Sequence, residues 1–223
     1  MRFMKKINTR FINIDNFSKI GSIVAYTLAT LLLIQLCLSL GLNYNNLTES
    51  YDFLISYTIN TVFYIMIAGY FKKGKDNFYY IFYAILLLIL GNYIIPIIMS
   101  ILRLDFTLFI FIPLLISSIL AILYFIFLAL ENKKREKKYF KALMIVGLIF
   151  GLAAFVYGMI SIVSYIITMV ELISNLKEME ITTIHLLTIL GYIVLILTNL
   201  VETVAIPILF GIYPFILKKE RLY

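Results

Sequence analysis

Glu202 stands in "LTNLVETVAIP", residues 197–207, a run otherwise almost wholly apolar, with Asn199 one helical turn before it. A carboxylate is costly inside a bilayer, so one that persists there faces the bundle interior or water and marks a candidate functional site. The chemistry it offers is binding of a cation, a hydrogen-bond-donating solute or a proton. Gln35, Asn60, Asn92 and the pair Ser117–Ser118 interrupt other apolar runs. Counted from the basic end of each run at 1.5 Å per residue, they lie about 17–22 Å deep and Glu202 about 24 Å deep. A polar layer shared by several helices is how a small cavity would be lined. The candidate binding set is therefore Glu202, Asn199, Asn92, Asn60 and Gln35, with Asn199 or another member of the layer expected as hydrogen-bond partner of Glu202. A plainer role stands beside this one. Asn and Ser also serve as interhelical glue, worth about 0.6–2 kcal/mol per contact. Glu202 would equally cap a helix beginning near Thr203, satisfying free N–H groups and complementing the dipole.

Catalytic and metal chemistry finds no such footing. The sequence holds one histidine, His185, and one cysteine, Cys37, and lacks GxxxxGK[ST], HExxH, CxxC and GxSxG patterns. No catalytic residue, metal site or cofactor is expected, and the chain is read as a non-enzyme. His185 is placed near the outer surface, and Arg103 with Asp105 in a solvated outer turn.

The elements that must position these residues follow from composition. Of 223 residues, 63% are hydrophobic and 14% charged, with a mean hydropathy of +1.01; soluble domains average about 25% charged. Apolar runs recur at about 20–42, 52–71, 78–102, 106–130, 142–170 and 181–217, each long enough to span a bilayer core. The fold expected is all-α, a polytopic transmembrane bundle of six spans. It is flanked by a basic tail over 1–19 and another over 218–223, with 20–217 as one bundle. The first apolar run is too long for a signal-peptide core and is read as an uncleaved span.

The net charge is +7. It is arranged by topology and not as a nucleic-acid surface: 17 of the 19 Lys and Arg residues fall in the two tails and the loops "KKGKDN" and "ENKKREKKYFK". The opposite side holds only Arg103 and Lys177, beside Glu49, Asp52, Asp105, Glu171, Glu178 and Glu180. The positive-inside rule then puts both termini in the cytoplasm, and the bundle is read as one of the plasma (inner) membrane. Within the first tail, Ile7, Phe11, Ile14 and Phe17 recur at helical spacing among basic residues. That pattern suits either a helix lying on the inner leaflet or a charged flank that fixes orientation. Aromatic-rich helix ends meet Lys-Lys pairs three times, which the aromatic belt and charge rule produce without duplication.

Two spans carry further signals. In span five, Gly147, Gly151, Ala154, Gly158 and Ser161 keep small side chains on one face, a seam for close helix approach inside the bundle or at a homo-oligomer contact. Span six would run about 55 Å as a straight helix, against a core of about 30 Å. The run must therefore kink, break or project outward: Pro207, Gly211 and Pro214 are available to bend it, and a re-entrant or interfacial segment around 182–198, followed by a true span near 199–217, would keep the charge rule.

Three functions fit. The first is a membrane-embedded transport component that binds a small solute in the polar layer and takes energy from a partner such as an ATPase. Six spans, cytoplasmic termini and "AYTLA" (Ala25 to Ala29) resemble the substrate-binding subunits of energy-coupling-factor transporters, whose AxxxA motif docks a membrane partner. The resemblance covers five residues and a topology, and it implies that ATPase-coupled partner. The second is the permease half of a small ABC exporter. The third is an assembly or immunity-type membrane subunit acting by helix–helix contact. The lipid bilayer is a partner in all three, and nucleic acid in none.

Overall fold

The computed structural model describes residues 14–42, 47–73, 78–94, 108–134, 136–176 and 183–221. The bilayer offers no hydrogen bonds to a backbone, so apolar runs satisfy their peptide groups internally by becoming helices. Six helical rods result among the described residues. They are α1 (Ile14–Leu42), α2 (Leu47–Lys73), α3 (Phe78–Ile89) continued by a π-helical turn (Leu90–Ile94), α4 (Leu108–Lys134), α5 (Lys137–Leu176), and a last rod. That rod joins α6 (Thr183–Ile206), a π-helical stretch (Pro207–Ile212) and α7 (Tyr213–Arg221). No strand occurs among the described residues. Threonine hydroxyls are satisfied within their own helices: Thr27, Thr30, Thr58, Thr61, Thr168, Thr188, Thr198 and Thr203 each donate to the carbonyl four residues back.

Four helical stretches are long and apolar enough to cross a membrane: Asp15–Leu42, Leu54–Lys72, Lys137–Ser174 and Thr183–Leu217. The exposed residues of these rods are apolar to an extent no water-facing surface would carry. Ile145, Leu148, Leu152, Ile160, Val163 and Ile167 of α5 alone are all exposed. This is a helical membrane protein.

The core is aromatic and lies toward the lysine-rich end, where α1 begins and α2 and α4 end. Phe17 stacks on Tyr213 at 5.6 Å and meets Phe71 edge-on at 6.1 Å. One layer farther in, Tyr124, Phe125, Phe150 and Phe210 join α4, α5 and the last rod, with centroids 5.3–6.3 Å apart. The basic tail expected over 1–19 is thus shorter than drawn. Helix α1 already starts at Ile14 and Phe17 is a core residue of it; Ile7 and Phe11 lie outside the described residues. The charged turn between α4 and α5 is tight. The Glu136 carbonyl accepts from the N–H groups of Tyr139 and Phe140, and its carboxylate pairs with Lys138 at 2.8 Å.

The re-entrant break expected near residue 198 is absent. The helix runs unbroken from Thr183 to Ile206, then widens at Pro207 and continues to Arg221. Proline supplies no N–H to the carbonyl four residues back, and a π-helical turn re-pairs the backbone without ending the rod. Helix α5 has 40 residues, about 60 Å long, and its antiparallel partner is this last rod. A Cβ on Gly191 would meet Leu42, the last described residue of α1. Residues 183–190 therefore extend about 12 Å beyond that level. The extra length is carried as continuous helix in both rods.

The α5 glycines explain why these two long rods lie so close. A Cβ on Gly147 would sit 2.7 Å from the Phe210 carbonyl oxygen, and one on Gly151 would sit 3.1 Å from the Pro207 Cα. On Gly158 it would overlap the Thr203 side chain. Pro214 lacks the N–H that would otherwise pair with the Phe210 carbonyl, and only a glycine opposite leaves room for that oxygen. Ala154 and Ser161 are half-buried on the same helix.

Candidate functional site

Glu202 lies inside the unbroken α6, so it does not cap a helix starting at Thr203. Its partner is not Asn199. The Asn199 amide donates to the Leu195 carbonyl of its own helix at 2.9 Å. The carboxylate instead accepts from the hydroxyl of Tyr64, on α2, with 2.8 Å between Oη and Oε1. Tyr64 is 5% exposed, whereas Glu202 is only half-buried. A hydrogen bond to an ionised acceptor is short and strong, worth about 1.5–3 kcal/mol. It ties the last rod to α2 across 138 residues of sequence.

A second polar contact lies on the same face of α2, seven residues toward the far end. Tyr57 is hydrogen-bonded to Gln35 of α1. Gln35 is 6% exposed, and its Oε1 has no hydrogen-bond partner among the described residues; the bond to Tyr57 is therefore made through the amide nitrogen. Seven residues of helix separate the two tyrosines by about 10 Å. Tyr165 of α5 lies within electrostatic range of Tyr57, Tyr157, Tyr192 and Glu202. The site is thus one half-buried carboxylate, an acceptor without a donor, and several phenol groups contributed by four rods. Aromatic faces with a carboxylate favour a cation, and an orphan acceptor favours a ligand carrying N–H or O–H groups.

Other residues named from the sequence are placed differently. Asn60 donates to the Ser56 hydroxyl at 3.5 Å, a contact along its own helix. Asn92 lies in the π-helical turn after α3, and Ser117 and Ser118 lie in α4. Arg103 and Asp105 fall outside the described residues. His185 is half-buried near the start of α6, and Cys37 is exposed. Among the described residues no cluster of His, Cys, Asp or Glu has the makings of a metal site. Ala25 and Ala29 of "AYTLA" are buried in the core, which leaves them no face for docking a partner helix.

Sequence reasoning passed over two sets of residues. Tyr57, Tyr64 and Tyr165 are absent from the candidate set, although a buried tyrosine carries a hydroxyl that needs a partner. Glu131 was assigned to the charged loop "ENKKREKKYFK", yet it is 0% exposed within α4. Its spacing from Tyr124 and Leu128, seven and three residues back and both buried, puts it on the inward face. Its neighbour Asn132 donates to the Tyr70 hydroxyl at 3.2 Å, which in turn lies 3.4 Å from the Tyr213 hydroxyl. Polar groups therefore occupy the bundle at both the Glu202 level and the lysine-rich end.

Neither a protein-family model, a curated protein nor a solved structure matches this chain.

Proposed function

We propose that this membrane protein is a transport component that binds a small cationic solute at Glu202, with six spans and both termini in the cytoplasm of a plasma (inner) membrane. The observation that carries the reading is the Tyr64–Glu202 bond, in which a half-buried carboxylate is held by a buried phenol from another rod. A carboxylate kept only for packing would be cheaper as an apolar residue. The Gln35 acceptor, the neighbouring Tyr57 and Tyr165, and the absence of a metal-ligand cluster among the described residues suit an organic cation with donor groups. The basic residues set the orientation through the positive-inside rule. In this reading, energy for uphill movement comes from a gradient or a partner subunit.

The test is a melting panel on purified protein in detergent with choline, putrescine and methylammonium as cations, and acetate and glucose as controls. At ligand concentrations a hundredfold above Kd, binding stabilises by about 2.7 kcal/mol. The reading expects at least one cation to raise Tm in the wild type and not in Glu202→Gln, with the controls inert. Equal response of the two proteins to every compound would overturn it.

A further inference from the structure

We propose that a groove between α1 and α2 at the lysine-rich end holds the phosphate of an anionic membrane phospholipid. The groove encloses about 800 Å³ and is lined by Asp15, Ser18, Lys19, Ser22, Ile23 and Tyr26 of α1, closed by Phe71 and Lys72 of α2. The α1 residues stand at steps of three, four, seven, eight and eleven from Asp15, which keeps all six on one helical face. Read along that face, chemistry changes in one direction. The first two turns carry only charged and hydroxyl side chains, Asp15, Ser18, Lys19 and Ser22, and the larger, mainly hydrocarbon side chains of Ile23 and Tyr26 follow.

A phospholipid divides the same way, into a charged and polar head (phosphate and glycerol ester) and hydrocarbon beyond it. The face from Asp15 to Tyr26 covers eleven residues, about 16 Å, enough for a headgroup and the upper acyl chain. Lys19 and Lys72 are both exposed and come from different rods, so a phosphate seated between them bridges two helices. Basic sites between transmembrane helices at this depth suit anionic headgroups. Ser22 is buried and lines the groove just inward of Lys19. Asp15 lies one turn farther toward water and repels an anion placed too shallow, which sets the phosphate at the Lys19 level. Below it, Ile23 is 65% and Tyr26 43% exposed, an apolar track open to the bilayer beside the groove. Phe71 is buried behind, anchored edge-on to Phe17, and gives the groove a rigid wall.

The experiment uses delipidated full-length protein in detergent. It reads bound lipid by native mass spectrometry and Tm during titration with phosphatidylglycerol, phosphatidylcholine or inorganic phosphate. Phosphatidylglycerol should bind more tightly than phosphatidylcholine. The double variant Lys19→Gln/Lys72→Gln should weaken it by roughly twentyfold, about fivefold for each lysine. The control pair Lys133→Gln/Lys134→Gln, at the end of α4, should retain it, and Asp15→Asn should tighten it. Lipid-free Tm and elution volume show that each variant folds. Equal lipid binding by the two double variants would overturn the proposal. So would inorganic phosphate raising Tm as effectively as the lipid, because the site would then be one for a free anion.

Discussion

A carboxylate among hydrocarbon side chains stays ionised only if polar groups replace the water it has left. Tyr64 supplies one such group to Glu202 and is itself almost wholly enclosed. Removing the hydroxyl leaves a half-buried acceptor with one donor fewer, so Tyr64→Phe should lower stability by about 1.5–3 kcal/mol. Glu202→Gln keeps an acceptor oxygen for Tyr64 and should cost less. Chemical denaturation of both variants in detergent checks the order; a Tyr64→Phe protein as stable as the wild type would mean that the bond contributes nothing. Glu202 was legible from its charge alone, because an acidic residue in an apolar run stands out. Tyr64 was not, since nothing in the sequence separates a phenol that packs from one that donates. Asn199 illustrates the reverse error: adjacency one turn away suggested a partner, but an amide in a helix has a nearer acceptor in its own backbone.

Helices are set by which faces they close on. The antiparallel match of Gly147 with Phe210, Gly151 with Pro207 and Gly158 with Thr203 fixes α5 against the last rod at backbone distance. A leucine in that seam has no free space, so Gly151→Leu and Gly158→Leu should each destabilise the bundle by about 1–3 kcal/mol or more through overpacking. Gly41 has nothing within 4 Å of its would-be Cβ, and Gly41→Ala should leave Tm unchanged. Loss of stability at Gly41 equal to that at Gly158 would remove the packing account. The small-residue spacing of span five could be read directly, because period and side-chain volume are both written in sequence. The continuity of the last rod could not. Length against bilayer thickness called for a kink, a break or an outward projection without choosing among them, and a π-helical turn at Pro207 absorbed the missing N–H and let the helix continue. Nothing in residue types alone distinguishes those outcomes, because the choice depends on what α5 offers opposite.

At the scale of the whole molecule, the starts of α1 and α5 and the ends of α2, α4 and the last rod gather at one end. The lysines gather there too, and the alternation of charge along the chain made that arrangement readable. Cysteines at Asn46 and Arg135 in a Cys37→Ser background place that end relative to the cell. The Asn46 position should label from outside intact cells and the Arg135 position should not; the opposite pattern would invert the topology. What the bundle does depends on whether water and a cation reach Glu202 from the outside. The most direct measurement uses Asn199→Cys in the same Cys37→Ser background, one turn from the carboxylate and half-buried. Its modification rate is compared between a trimethylammonium-bearing and a sulfonate-bearing methanethiosulfonate reagent applied to intact cells. The account predicts that the cationic reagent reacts several-fold faster than its intrinsic preference for a free thiol, and that adding Glu202→Gln returns the ratio to the free-thiol value. A thiol that neither reagent reaches, or a cation preference that persists in Glu202→Gln, would contradict the account of Glu202 as an accessible cation site.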